Sequence, residues 1–190
     1  MINLTSLPNL LTLLRIVLIP FFIVIFYLPF SWSHGAAAII FALASFTDWL
    51  DGYLARKLEQ MSPFGAFLDP VADKLLVSTS LLLLVGAKEI QYITIPAIII
   101  VGREIVISAL REWMSEVGSG ASMAVNYIGK VKTTLQMTAL ILLLAFYPAT
   151  SYWGVLGFVM LYVAAILTIW TMVVYIKLAW PKLMNENHKS

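Results

Sequence analysis

The sequence TDWLDGYLAR at positions 47–56, continued by GAFLDPVAD at positions 65–73, is the segment that says most about how the helices of this chain meet. It holds two pairs of aspartates, spaced by three and by four residues: Asp48, Asp51, Asp69 and Asp73. Residues three and four apart share one face of a helix, so each pair projects from a single helix face. The two pairs can therefore meet across the short connection between two helices.

The composition surrounding these aspartates is that of a bilayer protein. Hydrophobic residues make up 61% of the 190 positions and charged residues only 12%, with a mean hydropathy of +0.92. Soluble domains have about 25% charged residues. A membrane-spanning helix needs about 20 mostly apolar residues, so this length accommodates roughly six spans. The net charge of +2 is too small to indicate nucleic-acid binding.

Six apolar stretches predict an all-α fold, a six-transmembrane-helix bundle formed as one domain over residues 1–190. The stretches cover residues 10–30, 36–55, 71–87, 92–110, 131–147 and 153–178. The third helix is expected to start near Asp69, with Pro70 in its first turn, where a proline is tolerated. Lys88 is the one lysine or arginine of the shorter loops, whereas the side with the longer breaks would hold eight: Arg56, Lys57, Arg111, Lys130, Lys132, Lys177, Lys182 and Lys189. The positive-inside rule then puts both termini and the aspartates on the cytoplasmic side.

The four aspartates predict a metal site that binds phosphate. Each carboxylate within a bilayer costs about 2.5 to 3.5 kcal/mol, so four together require cations. The chain has no cysteine and two histidines, so the ligands of a metal would be mainly oxygen, which Mg²⁺ and Mn²⁺ prefer. Gly52, Ala55 and Gly65 would let a phosphorylated ligand approach the backbone. The alternatives are a structural ion-pair network with Arg56 and Lys74 and, for Gly52, ordinary helix packing.

These residues resemble a known signature. The pattern D-x2-DG-x2-AR-x8-G-x3-D-x3-D, which runs here from Asp48 to Asp73 without departure, is that of the CDP-alcohol phosphatidyltransferases. The segments LPNLLTLLR (7–15), FLDPVADK (67–74), GREIVISALREW (102–113) and IGKVKT (128–133) are similar to the bacterial branch of this family that uses glycerol phosphate. The resemblance covers nearly the whole chain.

The resemblance implies a reaction and assigns roles to residues. It implies a homodimer in the bacterial inner membrane that converts CDP-diacylglycerol and sn-glycerol 3-phosphate into phosphatidylglycerophosphate and CMP. The metal ligands would be Asp48, Asp51, Asp69 and Asp73, and Asp73 would also be the general base. The residues implied to bind CDP-diacylglycerol are Gly52, Ala55, Arg56, Ser62 and Gly65.

Basic residues around the break at positions 111–130 suggest where the acceptor phosphate binds. Guanidinium groups hold phosphate bidentately and lysines add point charge, which makes candidates of Arg103, Arg111, Lys130 and Lys132. For the two lysines, a role in setting topology is an equal alternative, and Arg103 could pair with Glu104. Three polar residues of the first span, spaced by three, are expected to face the site: Asn9, Thr12 and Arg15. For Arg15 the alternative is snorkelling to the interface.

Two other functions compete with this interpretation. Acidic residues within membrane helices often mark an ion or proton transporter, although transporter sites usually lie at the midplane. The other is a sibling phosphatidyltransferase that uses a different alcohol, because the signature alone does not define the acceptor.

Overall fold

The fold consists of six helices in the part of the chain that the structure describes. The structure is a computed structural model, and it describes residues 7–57, 63–116 and 127–185. The helices are α1 (Leu7–Phe26), α2 (Ser33–Lys57), α3 (Pro63–Gly86), α4 (Thr94–Glu116), α5 (Tyr127–Ala145) and α6 (Tyr152–Asn185). Each helix contains most of one predicted apolar stretch, so the prediction of six helices is confirmed.

The position of Pro70 was predicted wrongly. α3 begins at Pro63, and Pro70 lies inside the helix rather than in its first turn. A proline suits the first helical position, which Pro63 occupies, because amides there have no partner within the helix. The helix therefore extends beyond its apolar part, and Asp69 and Asp73 lie two to three turns after its first residue.

The apolar core fills one end of the bundle. α1 packs against α2 and α3, α2 also against α5, and α6 against α4 and α5. The core lies around the later part of α1 and the earlier part of α2, and fully buried members from four helices include Phe22, Phe41, Leu84 and Leu140. Burial of such side chains stabilises the fold by about 1.5 to 3 kcal/mol each.

The opposite end of the bundle is polar inside. Its buried side chains include charged and amide groups from α1, α2, α4 and α5, namely Asn9, Thr12, Arg15, Asp51, Arg103, Lys132 and Gln136. Polar groups in an apolar interior are costly unless they are paired. This end of the bundle is where the candidate site lies.

The outer surface of the bundle is apolar, as a lipid-facing surface would be. Large apolar side chains are exposed on every helix, for example Val24, Leu82, Ile98 and Ile166. Among the described residues, two helices are long and apolar enough by themselves to cross a membrane, through Asn9–Phe26 and Tyr152–Lys177. The helices α2 to α5 contain the charged residues of the polar end, which lower their hydropathy.

Gly157 provides a test of how closely α5 and α6 pack. A Cβ atom at Gly157 would lie 2.8 Å from the Cβ of Leu142 and 3.1 Å from the carbonyl oxygen of Ala139. Because neither atom is the end of a flexible side chain, we expect Gly157→Ala to destabilise the fold by about 1 to 3 kcal/mol. The measurement is the unfolding temperature of the purified protein in detergent.

The matched control is Gly35→Ala in α2. A Cβ atom there would meet nothing within 4 Å. Alanine is preferred over glycine in helices by about 0.5 to 1 kcal/mol, so this variant should be unchanged or slightly more stable. Equal unfolding temperatures for the two variants would contradict the close α5–α6 contact.

Candidate active site

Arg15 connects α1 to the aspartates of α2. Its side chain is fully buried, and its Nη1 donates to Asp48 Oδ1 at 2.6 Å while its Nη2 donates to Asp51 Oδ2 at 2.5 Å. Hydrogen bonds between charged groups are about twice as strong as neutral ones. Snorkelling, the alternative considered for Arg15, is therefore wrong, because none of this side chain reaches the surface.

Thr12 extends the same network to α3. Its hydroxyl lies 2.5 Å from Asp69 Oδ1 and 3.3 Å from Asp51 Oδ2, so one hydroxyl lies within hydrogen-bond distance of carboxylates on two helices. Asn9, three residues earlier, is also buried. Thr12 and Arg15 therefore contact the aspartates, as their spacing predicted, whereas for Asn9 the contact stays a prediction. We call Asp48, Asp51, Asp69 and Asp73 the acidic cluster.

The acidic cluster has the chemistry of a hard divalent cation site. Its ligand atoms are carboxylate oxygens from two helices, the type of ligand that Mg²⁺ and Mn²⁺ prefer. Arg15 pairs with Asp48 and Asp51, and its single positive charge is smaller than the formal charge of the four carboxylates, so these described residues together carry excess negative charge. Within the described residues, no three acidic or histidine side chains converge closely enough to hold an ion as they stand. Arg15 and Thr12 occupy carboxylate oxygens that a cation would otherwise bind.

A basic cavity lies beside the acidic cluster. Its volume is about 170 Å³, and its ionisable lining residues are four cations and two carboxylates, a net formal charge of +2: Lys74, Arg103, Arg111, Lys132, Asp73 and Glu104. Three of the four residues predicted to bind the acceptor phosphate are thus brought together. The fourth, Lys130, is exposed and is not among the lining residues.

Glu104 holds two of these cations. Its Oε1 accepts hydrogen bonds from Arg103 Nη1 at 2.9 Å and from Lys132 Nζ at 3.2 Å. The pairing of Arg103 with Glu104, considered as an alternative to phosphate binding, is therefore present. Because Glu104 carries one negative charge and contacts two cations, this group of three side chains has a net positive charge. Arg103 can therefore pair with Glu104 and still help to bind an anion.

Tyr175 and Lys74 complete the walls of the cavity. The guanidinium groups of Arg103 and Arg111 lie 5.8 Å and 5.7 Å from the centre of the Tyr175 ring, within the range of cation–π attraction. Lys74 donates to the hydroxyl of Ser108 rather than to an aspartate. Two arginines about two turns apart on α4 thereby contact one aromatic ring of α6.

Asp73 belongs to both regions. It lines the basic cavity, and its carboxylate interacts electrostatically with Asp48 and Arg15 on one side and with Glu104 and Lys132 on the other. A group in this position can accept a proton from a molecule in the cavity while it faces a second molecule at the acidic cluster. Lys74, the next residue, lines the cavity as well.

Several predicted residues fall outside this geometry. Gly65 is buried near the start of α3. The structure does not describe Ser62, nor the surroundings of Gly52, Ala55 and Arg56 within α2. The residues predicted to bind the donor therefore stay a prediction.

Sequence reasoning did not identify Gln136 and Tyr175, two of the polar residues that line the cavity. Gln136 lies four positions after Lys132, so its place on the same face of α5 could have been found from helical spacing. Tyr175 carries no such signal, because it is one of many aromatic residues in an apolar helix.

Comparisons with known proteins identify the family to which this chain belongs. The sequence model of the CDP-alcohol phosphatidyltransferase family matches residues 5–170. A relative from Pseudomonas fluorescens, named CDP-diacylglycerol–glycerol-3-phosphate 3-phosphatidyltransferase, is 52% identical over 97% of this chain and 95% of its own length. Relatives of the same name from Yersinia enterocolitica and Salmonella typhimurium are 50% and 49% identical, each over 95% of this chain and 98% of the relative. The chain therefore belongs to the CDP-alcohol phosphatidyltransferase family.

Proposed function

We propose that this chain is an integral membrane enzyme that transfers the phosphatidyl group of CDP-diacylglycerol to sn-glycerol 3-phosphate. The primary hydroxyl oxygen of the acceptor forms a bond to the phosphorus that carries the diacylglycerol. The bond from that phosphorus to the oxygen bridging to CMP breaks, so the products are phosphatidylglycerophosphate and CMP. The observation that carries the proposal is the position of Asp73 between an acidic cluster and a basic cavity.

The relatives support this choice of donor and acceptor. They carry one enzyme name, and they align with this chain over nearly their whole length at about 50% identity. The net positive charge of the cavity supports an acceptor that carries a phosphate. A sibling that used an uncharged alcohol would have no use for three cations around Asp73.

The acidic cluster is the proposed site of the donor pyrophosphate, together with Mg²⁺ or Mn²⁺ held by Asp48, Asp51, Asp69 and Asp73. The bound cation would neutralise the pyrophosphate and make CMP a better leaving group. The guanidinium of Arg15 fixes the carboxylates of α2, and the Thr12 hydroxyl fixes Asp69 of α3. Groups held before the reaction need little rearrangement during it. Gly52, Ala55, Arg56, Ser62 and Gly65 would border the cytidine and pyrophosphate.

The basic cavity is the proposed acceptor site. Arg103, Arg111 and Lys132 hold the phosphate, which leaves the primary hydroxyl free to reach Asp73. Asp73 takes the proton as the hydroxyl attacks, a role that requires hydrogen-bond reach. Because both reactants are bound, positioning supplies much of the rate enhancement, and no covalent enzyme intermediate is required.

The membrane arrangement is part of the proposal. All six helices span the inner membrane of a bacterium, and the enzyme is a homodimer. Both termini and the active site lie on the cytoplasmic side, where the basic residues concentrate. The water-soluble acceptor and CMP then exchange with the cytoplasm, while the acyl chains stay in the bilayer.

Asp73→Asn should lower kcat by about 10²- to 10⁴-fold, because an amide cannot accept the proton. Binding of CDP-diacylglycerol should persist, since the amide preserves the shape of the side chain. The matched control is Glu112→Gln on the exposed side of α4, which should keep normal turnover. Near-normal kcat in Asp73→Asn would refute the assignment of the base.

Removal of divalent cations should abolish turnover, because one guanidinium does not offset four carboxylates and a pyrophosphate. We expect EDTA to stop the release of CMP and added Mg²⁺ or Mn²⁺ to restore it. EDTA saturated with Mg²⁺ beforehand is the control for effects of the chelator itself. Full turnover after exhaustive removal of metal would rule out the metal site.

Arg111→Ala should raise the KM for glycerol 3-phosphate by about tenfold, because it removes a charged phosphate contact of about 1.5 kcal/mol. The KM for CDP-diacylglycerol should change little. Lys130→Ala is the comparison, since Lys130 lies outside the cavity lining, and we expect an acceptor KM within about twofold of wild type. The same acceptor KM in both variants would contradict the assignment of Arg111 to the phosphate.

A further inference from the structure

Gln136 is a buried polar side chain of the basic cavity to which the proposed mechanism gives no role. It lies on α5 one turn after Lys132, is 4% exposed and lines the cavity. Its Oε1 atom has no hydrogen-bond partner among the residues that the structure describes. A buried carbonyl oxygen left without a donor is costly, so a native site that contains one is expected to receive that donor from a ligand or water.

The surroundings of Gln136 favour a ligand with a hydroxyl. Val77 of α3 and Met137 of α5 line the same cavity and offer no hydrogen-bond donor, and the Thr133 hydroxyl donates to a carbonyl oxygen of its own helix at 3.0 Å. Arg103 has the opposite feature, a buried Nε donor without a partner in the described part of the chain. One cavity therefore presents an unpartnered acceptor and an unpartnered donor. A molecule with a hydroxyl and an anionic oxygen satisfies both.

We infer that Gln136 determines acceptor specificity, its side-chain oxygen accepting a hydrogen bond from the C2 hydroxyl of the glycerol phosphate. The inference rests on the proposed function. The acceptor has three polar groups: the phosphate is held by Arg103, Arg111 and Lys132, and the reacting C1 hydroxyl by Asp73. These contacts leave the C2 hydroxyl without a partner. Among the described residues of the cavity, the side-chain oxygen of Gln136 is a buried acceptor that also has no partner.

This contact selects against a three-carbon phosphate that lacks the C2 hydroxyl. Such a molecule keeps the phosphate and the reacting primary hydroxyl but leaves the buried Gln136 oxygen without its partner. A site built to bond a hydroxyl rejects the analogue without it more strongly than an apolar pocket rejects an added group. We expect the wild-type enzyme to prefer sn-glycerol 3-phosphate over 3-hydroxypropyl phosphate by about ten- to a hundredfold in kcat/KM.

The experiment compares these two acceptors in the full-length enzyme in detergent, with CDP-diacylglycerol and Mg²⁺ supplied and CMP release as the readout. Gln136→Leu, which replaces the amide by an apolar group of similar size, should reduce the preference to within about threefold. The reduction should come from a lower kcat/KM for glycerol 3-phosphate, with the KM for CDP-diacylglycerol unchanged. A general loss of structure would not separate the two acceptors in this way.

Thr134→Val is the matched control. Thr134 lies two residues earlier on α5, is exposed, and donates to the Lys130 carbonyl of its own helix at 3.1 Å. This substitution removes a hydroxyl from α5 without altering the cavity, so the variant should keep the wild-type preference for glycerol 3-phosphate over 3-hydroxypropyl phosphate.

The outcomes separate failure of the inference from failure of the proposed function. Equal use of both acceptors by the wild-type enzyme would overturn the inference, whether or not the Leu variant folds. A preference that survives in Gln136→Leu would overturn it as well. Absence of turnover with glycerol 3-phosphate in the wild type, with another alcohol active, would overturn the proposed function and the inference with it.

Discussion

The structure depends on the burial of the Arg15 guanidinium between the carboxylates of Asp48 and Asp51. Removing these charges from water costs several kcal/mol per ion, and the cost is recovered only when the groups meet in good geometry. Three helices must therefore converge at one end: α1 supplies Arg15 and Thr12, α2 the first pair of aspartates, and α3 Asp69. Because Arg15 carries one positive charge and the acidic cluster has four carboxylates, the proposed function assigns a divalent cation to this cluster.

The second organising feature is the contact between two regions of opposite charge. The acidic cluster suits a cation with its pyrophosphate, and the basic cavity suits a free phosphate, so the proposed function assigns each reactant to a different region. Asp73 is shared by both because it lies on α3, whose neighbours include both α2 and α4. In the proposed reaction, the acceptor hydroxyl and the donor phosphorus meet at Asp73.

The sequence predicts the acidic cluster well because its information is local. Spacings of three and four residues determine which side chains share a helix face, so Asp48, Asp51, Thr12 and Arg15 were all expected to face one another. The start of α3 was less predictable, since an apolar stretch does not define where its helix begins once charged residues continue the helix. That is why Pro70 was placed in a first turn.

The cavity is harder to predict because its contacts join helices that are distant in sequence. Glu104 bonds Lys132 across 28 positions, and the Tyr175 ring lies far along the chain from both arginines that it orients. Charge and composition identified Arg103, Arg111 and Lys132 as a group, but they gave no reason to separate Lys130 from them. Only packing determines that Lys130 is not one of the residues that line the cavity.

The packed apolar end of the bundle affects whether water and protons can pass through the protein. In the part of the chain that the structure describes, the fully buried side chains of this end, such as Phe22, Phe41, Leu84 and Leu140, carry no ionisable group. A packed hydrocarbon interior conducts neither water nor protons, because both need a chain of hydrogen-bonding groups. In the proposed arrangement, the charged reactants enter and leave by one face of the membrane, so the reaction proceeds while the bilayer keeps its insulation.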